Sequence, residues 1–319
     1  MTRYTQFSGG GGSFRTAMLD RLAHPDGDHR LLFSDTLYED ADTYRFLIEA
    51  AAIVTGRRLN WSVKADDFPD YRAHPDTPIE AYAGNPEWRA YLADLRLRAM
   101  GSIPELVWIV EGRDPWEVYR DERFVGNASK DPCSKILKRQ FMDRWRAENC
   151  DPSADTFAVG IDENERHRLE GADGKPGLQA RMALQGWAFH SPLLDDDLCY
   201  QHPRIAHAPL GDLGIAPPRL YGLNYKHGNC GGFCNKAGLA HWQNRFIVQP
   251  ERYAYDALME RKVRGHIGNP AATILRDRRG GVTKPMSLDA FAARLRASPQ
   301  KYAYAPGSSG CGCATDEAA

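Results

Sequence analysis

Along the first half of this chain the hydrophobic positions fall alternately into helical and strand spacing. In "SFRTAMLDRLA", Phe14, Ala17, Met18 and Leu22 stand at i, i+3, i+4 and i+8, one face of a helix. "RLLFS" (30–34) is a short apolar run of the kind a buried strand carries, and "DTYRFLIEAAAIVTG" reads as a second helix closed by Gly56. "RLNWSV" continues the alternation as a strand, "EWRAYLADLRLRAM" as a helix and "ELVWIVEG" as a strand. "SKILKRQFMDRWRAE" then predicts a helix, and "TFAVGI" (156–161) a strand. Strands alternating with helices imply a parallel sheet with right-handed crossovers, hence an α/β fold. Beyond residue 165 the periodicity fades into stretches such as "HSPLLDDD" and "GIAPPRLYG". The expected organisation is an α/β domain over 1–165 and a smaller, irregular C-terminal extension over 166–319. The end, "APGSSGCGCATDEAA", reads as a mobile tail.

Length and composition narrow the class. The chain has 319 residues, 42% of them hydrophobic, enough for a substantial core. Its formal net charge is −1, so no global basic field announces a nucleic-acid partner. No apolar stretch approaches the roughly 20 residues of a membrane span. The N-terminal "MTRYTQFSGGGG" lacks the apolar region of a secretory signal, and a cytoplasmic location is expected. Seven cysteines, an odd number, then argue for metal ligation or thiol chemistry rather than a disulfide framework.

"FSGGGGSF" (7–14) looks like a flexible linker, but only seven residues precede Ser8 and the glycines run straight into an amphipathic helix. A glycine-rich turn that opens a helix at a sheet edge turns backbone N–H groups and the helix dipole toward an anion. The segment is neither a Walker A loop nor a G-x-G-x-x-G fingerprint. Nor is it a nucleophile elbow, because Arg15 stands where the last glycine belongs.

"FSGGGGSF" resembles the SGG-x-D-S loop of the PP-loop ATP pyrophosphatases, the adenine nucleotide alpha hydrolases. "LLFSDTLYEDADTYRFL" (31–47), "VGIDENERHRL" (159–169), "SPLLDDD", "PPRLYGLNYKHGNCGGFCNKAGLAHW" (217–242) and "ATILRDRRGGVTKPMSLDAF" resemble, in order, segments of the PAPS reductase-like branch. The resemblance implies a Rossmann-like nucleotide-binding domain in which Ser8, Gly9, Gly10, Gly11, Gly12 and Ser13 hold the pyrophosphate end of ATP. Asp35 and Thr36 would contact ribose or adenine, and Arg166 and Arg168 phosphate oxygens. Glu163 and Glu165 are the candidates for Mg2+. One departure is Gly12, which replaces the loop's usual aspartate and removes its carboxylate.

Cys230-x3-Cys234, with glycines between, lets the backbone fold tightly around a metal or cluster. Cys133 begins a predicted helix, whose dipole favours a thiolate. A cubane cluster or a zinc ion needs four ligands. Cys133, Cys230 and Cys234 supply three, and Cys313 in the tail is the candidate fourth. An iron–sulfur cluster of the 4Fe-4S type, zinc and free catalytic thiols all remain open on this reading. Basic residues outnumber acidic ones between 255 and 285, and Lys135, Lys138, Arg139, Arg144 and Arg146 follow Cys133. Such local patches suit a phosphate-rich substrate, a nucleic acid included. The combination points to an ATP-dependent sulfurtransferase supplied by a cysteine desulfurase or another sulfur donor. A sulfonucleotide reductase and a non-catalytic nucleotide-binding module are the alternatives.

Overall fold

Leu31 and Phe33 are buried in one hydrophobic cluster and Leu32 in another, the two-residue alternation of a strand covered on both faces. A computed structural model, which describes residues 1–278 and 281–298, places this strand inside a five-stranded sheet. The strands are β1 (Thr2–Gln6), β2 (Asp28–Asp35), β3 (Leu106–Val110), β4 (Thr156–Ala158) and β5 (Ala188–His190). All pair in parallel, in the order β3-β2-β1-β4-β5, with helices α1 (Gly11–Ala23), α2 (Ala41–Thr55) and α3 (Pro86–Ser102) in the connections. The fold is thus α/β and consistent with a Rossmann-like nucleotide-binding architecture. The chain winds from β1 outward to β3, then returns to the other side of β1 for β4 and β5. The strand order therefore reverses between β1 and β4, and open α/β sheets bind ligands outside the carboxyl ends of the strands at such a point.

Three features differ from expectation. "RLNWSV" is not a strand: Trp61 donates from Nε1 to Ser102 Oγ (3.1 Å) and the Arg98 guanidinium lies over its ring, so the segment packs onto α3 as a loop. β1 has no apolar run to betray it. Its Arg3 is buried because it grips Asp20 of α1, with Nη2 donating at 2.6 Å and Nε at 3.1 Å. The boundary expected at residue 165 falls inside the sheet, since β5 comes from the second half and pairs with β4. Among the described residues no helix is long and apolar enough to cross a membrane.

Asp20 is a hub, with His190 Nε2 at 3.0 Å and His29 Nδ1 at 3.3 Å joining Arg3 around its carboxylate. Burial alone would raise its pKa, but hydrogen bonds from His190, His29 and Arg3 hold it well below the usual carboxylate range. A depressed folded pKa contributes stability above the unfolded value near 4 and loses it as acid protonates the native carboxylate. The melting temperature should therefore fall steeply as pH drops below about 4, and the Asp20→Asn variant should show a shallower acid limb. Parallel acid limbs for the two proteins would remove Asp20 as the cause.

Candidate nucleotide and thiol site

β1 ends at Gln6, and Phe7-Ser8 lead into the glycine loop at the point where the strand order reverses. Gly9 has φ +72°, and a Cβ there would stand 2.9 Å from Thr43 Cγ2, so both conformation and space ask for glycine. Gly10 is the N-cap of α1 and supplies no side-chain acceptor to the first turn. The N-terminal N–H groups of a helix lack intrahelical partners, and the dipole adds positive potential there. Gly160, just beyond β4, lies against this turn: a Cβ would sit 2.9 Å from the Ser13 nitrogen. The loop is therefore wedged between the carboxyl ends of β1 and β4, the position a phosphate cradle requires.

Ser13 is buried and Ser8 exposed, but the hydroxyls of both are hydrogen-bonded within the loop. Ser13 Oγ donates to the Gly10 carbonyl (2.9 Å) and accepts from the Ser8 N–H (3.1 Å), and the Ser8 hydroxyl donates to it (3.3 Å). Their hydroxyls shape the loop, leaving the backbone to face a ligand. A segment from the second half roofs it. Arg15 donates at 2.5 Å to the carbonyls of Ile205 and Ala208, Leu210 packs on Gly11, and the Tyr221 hydroxyl accepts the Gly11 N–H at 3.0 Å.

Asp35 is fully enclosed at the end of β2, accepting from the Leu37 N–H (2.8 Å), the Tyr44 hydroxyl (2.8 Å) and Trp108 Nε1 (3.0 Å). Burial, reinforced by the charge of Glu39, pushes its pKa up to about 6 against those three donors. Its carboxylate thus builds the β2–α2 turn. Thr36 instead lines the thiol cavity described below. Arg166 lies at the surface, paired with Glu163 at 2.6 Å and Glu170 at 2.8 Å, while Arg168 pairs with Glu165.

Cys133 and the distant pair Cys230 and Cys234 line a single cavity together with Thr36, Lys138 and Lys236. Cys133 sits on Pro132–Ser134, ahead of a π-helical stretch (Lys135–Gln140) that carries Lys138 toward the same cavity. Asn235 Nδ2 donates to the carbonyls of Asn127 (3.2 Å) and Lys130 (3.1 Å), which turns its Oδ1 toward Cys133 Sγ at 3.3 Å. On the other wall the buried Glu39 carboxylate accepts the Cys230 N–H and the Thr36 hydroxyl (3.1 Å), with Lys138 Nζ at 3.5 Å. Cys230 has φ +53°, and Gly231 and Gly232 continue the left-handed turn. Cys133, Cys150, Cys199, Cys230 and Cys234 carry thiols. Cys313 lies outside the described residues, as does Cys311. Among the described residues no three His, Cys, Asp or Glu side chains are grouped to hold a metal ion.

One stretch of chain, residues 219–235, joins the loop to the thiols. It is anchored to the start of α2, where Arg219 meets Asp40 at 2.6 Å and its N–H donates to Asp42 at 2.6 Å. Tyr221 then covers the glycine loop, Gly228 approaches Thr43, and Cys230 and Cys234 reach the cavity. His227, between them, has its pKa pushed down to about 3 by burial and by the charges of His241, Lys138, Arg168 and Lys226. The basic residues of 255–285 are largely engaged within the chain. Lys262 donates to the carbonyls of Pro75 and Thr77, Arg264 to that of Pro270, and Arg261 pairs with Asp289.

Tyr221, Thr43, Gly160 and Glu39 carry no local signal of a place at the site, and Lys138 stands out in the sequence only as one of a basic run after Cys133. Tyr221 lies 210 positions from the amide it touches, and no local spacing signals such a contact. No family model, no curated protein and no solved structure matches this chain.

Proposed function

We propose that the protein is an ATP-dependent, adenylating sulfurtransferase of PP-loop type acting on a nucleic acid or nucleotide. The observation that carries this reading is residues 219–235, which form one wall of the glycine loop and one wall of a three-cysteine cavity. The resemblance of the loop and of the cysteine-bearing segment to the PAPS reductase-like branch supports it. ATP would lie with its phosphates on the first turn of α1, where free N–H groups and the dipole favour anions. An oxygen of the acceptor attacks the α-phosphorus, the P–O bond to pyrophosphate breaks, and the acceptor becomes adenylated. Sulfur held at the cavity then forms a bond to the activated carbon, and AMP leaves with the electron pair of the C–O bond.

Three cysteines lining one cavity support the reading of an iron–sulfur cluster there. Three thiols face one space, and Lys138 and Lys236 offset the negative charge of a thiolate-bound cluster. Cubane ligands stand farther apart than ligands around one ion, so the absence of a single-ion grouping does not conflict with this. The cavity holds about 20 Å³, room for one water, so a cluster would be admitted only if its walls moved apart. Cys133, Cys230 and Cys234 would hold it, with Cys313 as the candidate fourth ligand, and it would supply an iron site for sulfur. A magnesium ion is proposed to enter with the triphosphate, since Glu163 and Glu165 pair with Arg166 and Arg168. A cysteine desulfurase is the proposed sulfur source.

The test is pyrophosphate release from ATP by anaerobically purified protein, assayed with RNA, with DNA and with neither, alongside iron analysis. Acceptor-dependent release is expected. Sulfite formed from PAPS with a thiol donor, or ATP binding with no turnover under every acceptor condition, would replace this reading.

A further inference from the structure

The glycine loop offers backbone donors, but its own hydroxyls are spent. Ser8 donates to Ser13, and Ser13 donates to the Gly10 carbonyl. The hydroxyl that overhangs the loop belongs to Tyr221. Its oxygen accepts the Gly11 N–H at 3.0 Å, and among the described residues no acceptor meets its own proton. The position is built from both sides: a Cβ on Gly10 would stand 3.1 Å from this hydroxyl, so the absence of a side chain there lets the phenol reach the amide. A second, separate group marks the same seam. Thr43 is 1% exposed and, among the described residues, its hydroxyl has no hydrogen-bond partner. Its methyl abuts Gly9, and its hydroxyl lies 3.2 Å from the place a Cβ of Gly228 would take. A buried hydroxyl without a partner costs free energy, and a polar ligand or water entering the seam would remove that cost.

We infer that Tyr221 is a phosphate-binding residue, its hydroxyl held by the Gly11 N–H and donating its proton to an oxygen of the phosphate chain lying on the N-terminus of α1. The inference rests on reading the loop as the phosphate cradle. The geometry gives the phenol two roles at once. Accepting from a helix N-terminal amide polarises its O–H toward stronger donation, and the contact carries the first-turn dipole one atom farther toward the ligand. Tyr221 also places the roof: with its oxygen on Gly11, the segment that continues to Gly228 and the cysteines is indexed to the phosphate position. The ligand class is a polyphosphate, whose several oxygens can take backbone N–H groups and the phenol together.

The experiment is calorimetric titration of the full-length chain with inorganic pyrophosphate, in wild type, Tyr221→Phe and Gly10→Ala. Tyr221→Phe removes the proton and keeps the ring. Gly10→Ala keeps the hydroxyl and pushes it off the amide, at a backbone geometry (φ −127°, ψ 164°) that alanine adopts freely. Loss of a hydrogen bond to a charged acceptor should weaken binding on the order of tenfold in each variant. Melting temperature, measured in parallel, separates binding from folding. Variants that melt earlier but bind with unchanged affinity give Tyr221 a structural role only and overturn the proposal, as does tighter binding by Tyr221→Phe, the behaviour of a plug. If wild type itself does not bind pyrophosphate, the cradle reading fails first and the Tyr221 assignment with it. Binding by wild type with no change in either variant defeats the Tyr221 assignment alone.

Discussion

Arg245→Met is expected to destabilise the protein by about 3–5 kcal/mol, the usual cost of leaving one charge of a buried pair unanswered. Arg245 and Asp256 are both fully buried, with Nε 2.6 Å from Oδ2. The pair is the centre of a longer chain of hydrogen bonds. Trp116 Nε1 donates to the Tyr38 hydroxyl at 3.0 Å, and that hydroxyl donates to Asp256 at 2.8 Å. Arg245 Nη1 donates in turn to the Gly231 carbonyl at 2.8 Å, inside the cysteine turn. Burial keeps the Asp256 pKa above its ordinary value even with the guanidinium beside it. Without Arg245, Asp256 should take up a proton in the native state, and a raised folded pKa means a deficit that grows as pH rises. Urea unfolding at pH 5 and pH 8 checks this, with the larger loss expected at pH 8. Adding Asp256→Leu should recover much of the loss, because an apolar pair of similar volume removes the stranded charge. An equal deficit at both pH values would mean that packing, not the ion pair, is what Arg245 supplies.

At Cys230 two substitutions should part company. If the proposed function holds, Cys230→Ala and Cys230→Gly are both expected to abolish the proposed sulfur transfer while leaving the proposed pyrophosphate binding intact, since the thiol lies on the cavity and not on the loop. Their stabilities should differ. At φ +53°, ψ 35° a Cβ crowds the following carbonyl, a conformation that costs roughly 1–2 kcal/mol for an L-residue. Cys230→Gly should therefore raise stability by about 1 kcal/mol over Cys230→Ala, offset in part by the freedom glycine gains when unfolded. Strain of this kind persists where the surrounding structure fixes it, and it clusters at functional positions. Retained sulfur transfer in Cys230→Ala would remove this thiol from the chemistry. A glycine variant no more stable than the alanine variant would show that the turn relaxes around any residue.

Much of the fold was legible because its central strands and first helices are strongly patterned. Leu31–Phe33, Phe14 and Ala17 sit in the core as the periodicity predicts, whereas Leu22, placed on the same helix face by spacing, is exposed and Leu19 is buried instead. β1 was hidden because its buried cation, Arg3, depends on a carboxylate on α1 and imidazoles on β2 and β5, contacts that no local window contains. "RLNWSV" misled because Trp61 and Val63 bury apolar surface without pairing as a strand. At the site, four consecutive glycines running into α1 suggested a close backbone approach, but it was the resemblance to the PP-loop, not residue type alone, that gave that reading its weight. The convergence of Cys133 with Cys230 and Cys234 could be suspected but not placed, because it depends on Asn235 and on the 219–235 segment. Arg166 looked like a phosphate ligand by position, yet glutamates three residues before and four residues after it give its guanidinium partners on its own helix.

The return of residues 205–235 onto the first turn of α1 has a consequence for how such a chain can be inherited. A genetic exchange that joined the first 165 residues to an unrelated partner would deliver a glycine loop without the contacts of residues 205–221, and a sheet lacking its last strand. The two halves can diverge in sequence, but they must travel together.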